Sequence, residues 1–175
     1  MLAVARIIIL LALALAAGNS AVLAQDSAAE LRYQEDYDRL QEIVKISDPA
    51  KKAEQLVAYY KGRPNLDSKL RVFADSHFAN ALKDLMKKPD LVKKLAQSAI
   101  ALRPKFGEAL FYYGIVLKNE NLFDEALIAL AKSSVIEHLL QTKAKELLDT
   151  TYRGVHKGSM VGEDKLIAKA KAELK

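Results

Sequence analysis

The sequence predicts an all-α chain built of antiparallel helix hairpins stacked side by side. Three observations carry that expectation. Apolar residues recur at steps of three and four along almost the whole chain, the pattern of helices with one buried face. Asp, Gly and Pro interrupt this pattern at intervals of about one helix length. The 175 residues favour Ala, Leu and Lys, with only seven Gly and four Pro, and no stretch alternates with period two for long enough to make a strand.

From Ser27 to Ile46, the spacing of Leu31, Tyr33, Tyr37, Leu40, Ile43 and Val44 gives an amphipathic helix. Asp48 then offers an N-cap, and Pro49 suits the first helical position, where its missing N–H costs nothing. The helix that follows, about Ala50 to Lys61, turns Ala53, Leu56, Val57 and Tyr60 inward, and Gly62 with Pro64 is expected to end it. These two make a first hairpin. Asp67 caps a longer helix, to about Lys87, whose face is Leu70, Phe73, Ala74, Phe78, Ala81, Leu82 and Leu85. Lys88-Pro89-Asp90 breaks it, because the residue before a proline is pushed out of the helical region. The next helix, Leu91 to Leu102, is expected to bury Leu91, Leu95, Ala99 and Leu102, and Arg103-Pro104 closes this second hairpin. A third has helices over about Phe106 to Lys118 and Phe123 to Glu137, with a turn at Asn119 to Asn121. Beyond it, Leu140, Ala144, Leu147, Leu148 and Thr151 mark a helix from about Leu140 to Tyr152 or beyond. Gly154, Gly158 and Gly162 punctuate a loop, and Glu163 to Leu174 is a short helix with Leu166, Ile167, Ala170 and Leu174 inward.

The stretch Gly107 to Leu140 sets the register for the rest. Leu110, Tyr113, Gly114, Leu117, Ala126 and Leu130 fall at the spacing of a 34-residue helix–turn–helix unit, and the unit resembles a tetratricopeptide repeat (TPR). Gly114 and Ala126 stand where small residues let two helix axes approach closely. The unit departs from the family pattern in having Leu110 in place of Trp, Leu117 in place of Tyr, and Ser133 and His138 where Ala and Pro are usual. Counting back 34 residues maps His138 onto Pro104, Ser133 onto Ala99, Leu130 onto Ala96, Ala126 onto Val92 and Gly114 onto Asn80. The second half of this earlier copy, with Ala99 and Pro104, matches well, and its first half matches poorly. Pro64 precedes Pro104 by 40 residues, so one repeat is expanded. Ordinary bundles use similar hairpins. The resemblance implies a short TPR-like solenoid with units at 28–66, 67–106 and 107–140, within a repeat region 25–140, followed by capping helices over 141–175. The segment Tyr152 to Leu174 is similar to the tails of small exported bacterial members.

Residues 1–24 read as a signal peptide. Arg6 supplies a positive start, Ile7 to Ala17 an apolar run of suitable length, and Val22-Leu23-Ala24 small residues for a peptidase, leaving Gln25 as the new N-terminus. The competing reading is an uncleaved inner-membrane anchor, since Ile7 to Ala24 is about the minimum length for spanning. The absence of Cys excludes a lipoprotein anchor, disulfides and thiolate metal sites. Loss of the leader removes Arg6 and no acid, leaving 26 basic against 22 acidic residues, interleaved rather than clustered. That is not the footprint of a nucleic-acid binder.

No catalytic motif is present. His77, His138 and His156 have no second ligand at metal-binding spacing, and there is no nucleophile elbow, Walker loop or dinucleotide fingerprint. No enzyme activity, cofactor or metal is expected. A hydrolase using His77 or His156 would need carboxylates converging on them. The TPR resemblance implies instead a ligand groove lined by the first helix of each unit. In the register above these residues are Tyr37, Gln41 and Val44, then Ala74, His77, Ala81 and Asp84, then Glu108, Phe111, Ile115 and Lys118. The set lacks the Lys/Asn/Arg combination with which some TPR modules clamp a terminal carboxylate. Phe111 and Tyr112 fit core packing equally well. The expected function is a non-catalytic protein- or peptide-binding scaffold, periplasmic or secreted, touching a membrane only through its leader and compatible with a homo-oligomer. The alternative is a membrane-tethered envelope assembly factor.

Overall fold

A computed structural model describes residues 29–175; the leader reading falls outside these residues. The chain divides into two compact units, the first ending at Gln41 and the second running from Glu42 to Lys175. The first helix, α1, covers residues 29–44. In the first unit it exposes Leu31, Tyr33 and Tyr37 and buries Leu40.

In the second unit all regular structure is helical: α2 (Pro49–Gly62), α3 (Ser68–Asp84), α4 (Pro89–Leu102), α5 (Gly107–Asn119), α6 (Phe123–Val135), α7 (Gln141–Val155) and α8 (Glu163–Glu173). The expected caps operate. Asp48 accepts from the Lys51 N–H at 2.7 Å, and Asp67 accepts from the N–H groups of Lys69 and Leu70. Most helices pack on their chain neighbours, and several on the next helix but one. Thus α2 lies on α3 and α4, α5 on α3, α4, α6 and α7, and α6 on α7 and α8. This is an all-α, repeat-like stack of helix hairpins.

The α5–α6 pair is the closest packed. A Cβ on Gly114 would lie 2.8 Å from Leu130 Cγ, so only glycine lets these axes come this near. Leu117, Ala126 and Ala129 pack together beside it, with Tyr113 half-buried against them. The α3–α4 pair touches only lightly, and the side chain in the position equivalent to Gly114, Asn80, points to solvent. A residue of that size cannot serve as a close-approach point, so α3 makes more of its contact with α2 and α5.

Several expectations about elements need correcting. Helix α2 buries Tyr59, leaving Val57 and Tyr60 half-buried, and Phe73 on α3 is exposed. Helix α4 buries Val92, Leu95, Ala96 and Ala99, while Leu91 is half-covered and Leu102 exposed. It is clasped between α2 and α5, and the buried side follows the 34-residue register, not the Leu91–Leu95–Leu102 stripe. Helix α2 does end at Gly62, as expected, and the chain leaves it at Arg63. Gly154 lies inside α7 instead of a loop, whereas Gly158 and Gly162 take positive φ (90° and 98°) as turn residues. Helix α8 folds back on α6, where Lys132 and Glu173 pair at 2.7 Å.

Candidate functional site

A cluster of polar and aromatic contacts lies at one edge of the second unit. Here the start of α3, the α4–α5 turn, the start of α5 and the α6–α7 turn converge. Arg103, in the α4–α5 turn, is fixed from two sides. Its Nη2 pairs with Asp75 Oδ2 of α3 at 2.7 Å, and its guanidinium carbon lies 3.8 Å from the Phe106 ring centroid. The Tyr60 hydroxyl of α2 donates to the other Asp75 oxygen at 2.9 Å. Beneath them, Tyr60, Phe78 and Phe106 form a three-ring cluster with centroids 5.3–6.1 Å apart. Burial raises the pKa of Asp75, and this outweighs the opposing pull of Arg103 and the hydrogen bonds. Burial raises Tyr60 as well, followed by the neighbouring Asp75 charge. Arg103 Nε is buried and has no hydrogen-bond partner.

A second polar knot closes the α6–α7 turn onto the first residue of α5. Ser133 Oγ donates to the Gly107 carbonyl at 2.8 Å. The His138 ring lies flush against Gly107, where a Cβ would meet His138 Cδ2 at 2.2 Å. The Leu140 N–H donates to His138 Nδ1 at 3.2 Å, so Nδ1 is an acceptor and the ring is neutral with its proton on Nε2. Nε2–H then serves Ser133, 3.1 Å from both its carbonyl oxygen and its hydroxyl. Burial lowers the His138 pKa, in accord with that tautomer. Glu108 Oε2 lies 3.8 Å from Nδ1, and burial raises the Glu108 carboxyl.

Between the two knots opens a cavity of about 970 Å³. Arg71, Arg103 and Glu108 contribute to its wall. Its apolar lining includes Val72, Leu102 and Leu139, which are 61%, 42% and 68% exposed. A smaller cavity of about 280 Å³ adjoins it, sharing Arg71, Leu102 and Arg103. Arg71 is held toward this wall by a 2.7 Å hydrogen bond from Nη2 to the Leu66 carbonyl.

The residues expected to line a groove are distributed differently. Ala74, Ala81, Glu108 and Phe111 are buried; Gln41, Val44, His77, Ile115 and Lys118 are half-buried; Tyr37 and Asp84 are exposed. Ala74, Ala81 and Phe111 therefore present no side chain to an open groove, because α5 is packed by α3, α4, α6 and α7. Of the eleven, Glu108 alone lines the large cavity. The packing residues Leu110, Gly114, Leu117, Ala126, Leu130 and Ala99 are buried, and exposed Pro104 lines the cavity. His77 packs edge-on against Phe73 with centroids 4.6 Å apart, and His156 stacks on Tyr152 at 4.0 Å. Among the described residues, no group of three or more His, Cys, Asp or Glu could hold a metal ion. No helix there is long and apolar enough to cross a membrane. Comparison of the chain with family models, curated proteins and solved structures returns no match.

Sequence reasoning missed Arg71, Asp75 and Arg103. Asp75 and Arg103 are 28 positions apart and pair only once α3 and the α4–α5 turn meet. The one signal available was the aromatic pair Tyr60 and Phe106 flanking helix ends, which marks a polar–aromatic junction without naming its partner.

Proposed function

We propose that the chain is a non-catalytic helical-repeat scaffold of tetratricopeptide type that binds a protein or peptide segment. The observation that carries this reading is the edge cavity, whose lining combines three exposed aliphatic side chains from three different elements with fixed charged groups. Exposed apolar side chains gathered around a concavity, with a few oriented polar groups, are what a partner's side chains can bury against. The α5–α6 unit supports the TPR reading through its glycine-mediated helix approach. The leader-like residues 1–24 support export to a periplasmic or secreted space, with a membrane-tethered assembly factor as the alternative; intact Met1 in mass spectrometry of the native protein would decide for the tether.

The binding reading is tested by selecting from a random-peptide display library against the full chain, then repeating with Val72→Asp and Leu139→Asp. Both sites are exposed, so the variants should fold normally. Selected peptides are expected to lose at least about tenfold in affinity on the variants, as when apolar contacts worth more than 1.4 kcal/mol are replaced by charge. A library that yields no binder would overturn the scaffold reading.

A further inference from the structure

We infer that the paired edge cavities take an acidic, aliphatic peptide segment, its carboxylates on the Arg71–Arg103 wall and its apolar side chains against Val72, Leu102 and Leu139. This rests on the scaffold reading above and adds the chemistry of the partner. The smaller cavity is lined by Lys61, Arg63, Arg71 and Arg103 and by no acidic side chain. The larger one adds Lys105 and Lys175 and has four acids, Asp75, Glu108, Glu137 and Glu173, two of them already paired. Asp75 is held by Arg103 and Tyr60, Glu173 by Lys132 outside the cavity, and Glu108 is buried. Arg71 is anchored through a neutral carbonyl, which orients the guanidinium and leaves its charge uncompensated. Of the two guanidinium groups on the shared wall, Arg103 is paired with Asp75 and Arg71 is bound to a carbonyl alone, and a partner carboxylate would complete Arg71.

The aliphatic lining favours a peptide over a nucleic acid. The exposed apolar groups facing the cavity are Val72, Leu102 and Leu139, and no exposed aromatic ring is among its lining as a base-stacking platform would need. Arg103 is itself covered by Phe106 on one face.

The experiment uses the full chain and four fluorescein-labelled probes read by anisotropy: peptides of twelve residues alternating Glu with Leu, Ser with Leu or Lys with Leu, and a single-stranded DNA of twelve nucleotides. The Glu/Leu peptide is expected to bind at least about tenfold more tightly than the Ser/Leu peptide, to weaken with added salt, and to lose about fivefold on Arg71→Gln and on Lys61→Gln. Lys61 is exposed at the end of α2, so its variant keeps the test open even if Arg71→Gln perturbs the fold. Equal binding of the Glu/Leu and Ser/Leu peptides, unaffected by either variant, would overturn the acidic preference and leave the scaffold standing. Tighter binding of the DNA or the Lys/Leu peptide would also overturn it. If no probe binds and the display library is empty as well, the scaffold reading falls with it.

Discussion

Two glycines in helices of this chain have opposite consequences. Gly114 is held against Leu130, where an added Cβ would come within 2.8 Å of Cγ, a branch point that cannot swing aside as a flexible tip would. Gly154 in α7 has nothing within 4 Å of the same position. Gly154→Ala should therefore stabilise the protein by about 0.5–1 kcal/mol through reduced backbone entropy in the unfolded chain. Gly114→Ala gains the same propensity but meets an overpacking cost of about 1–3 kcal/mol, so it should come out destabilised. Urea unfolding of both variants checks this, and a stabilised Gly114→Ala would show that α5 and α6 have room to part. A second residue-scale prediction concerns pH. Burial raises Glu108 above its ordinary 4.5, so the folded state carries an unfavourable charge at neutral pH and is relieved as pH falls through the raised value. His138 has the opposite sign. Its pKa is lowered from 6.5, so the stability it contributes is present above 6.5 and is lost as pH falls through the lowered value. Glu108→Gln removes only the first effect. The melting temperature of the variant relative to the wild type should therefore rise as pH increases above the ordinary 4.5 through the raised value, and a difference independent of pH would mean that Glu108 is not charged at a cost.

At the scale of the element, what the sequence disclosed depended on how local the governing interaction is. Caps are local, and Asp48 and Asp67 accept backbone N–H groups where their positions before Pro49 and Ser68 said they would. The buried side of α4 is not local. Leu91, Leu95, Ala99 and Leu102 make an acceptable helical stripe, yet clasping by α2 and α5 selects Val92, Leu95, Ala96 and Ala99. Val92, Ala96 and Ala99 are the positions reached by counting back 34 residues from Ala126, Leu130 and Ser133. A repeat register carries tertiary information that amphipathicity in one helix does not. Gly154 shows the reverse error: a glycine close to Gly158 and Gly162 suggests a loop, yet it lies inside α7 and takes no left-handed conformation. The site was least legible. Arg71, Asp75 and Arg103 come from different elements, and no spacing in the chain announces that Arg103 will lie between a carboxylate and an aromatic ring. His138 is similar. Its place in the repeat pattern was visible, but its wedge against Gly107 and its neutral tautomer depend on the α6–α7 turn folding back over α5.

For the second unit taken whole, the stack should not open uniformly. In a linear array each helix is stabilised by the neighbours it touches, so stability is graded along the chain and local opening follows the grading. Helix α5 has four packing partners and buries residues on nearly every side, from Gly107 through Leu117. Helix α8 rests chiefly on α6 and buries only Glu163 and Ala170, assisted by the Lys132–Glu173 pair at the surface. An exposed pair of that kind adds little, about 0–1 kcal/mol. Amide exchange should therefore be slowest in α5 and α6 and fastest in α8, with α7 between them because it packs on both α5 and α6. The edge cavity draws its wall from the start of α5 and from Glu173 at the end of α8 with the two residues after it. If α8 opens before the rest, that side of the cavity widens while Arg71, Arg103 and the three-ring cluster stay in place. Hydrogen–deuterium exchange resolved by peptide tests this directly. Protection equal in α5 and α8 would mean that the unit unfolds as one block, and that helix contacts along the stack do not grade its stability.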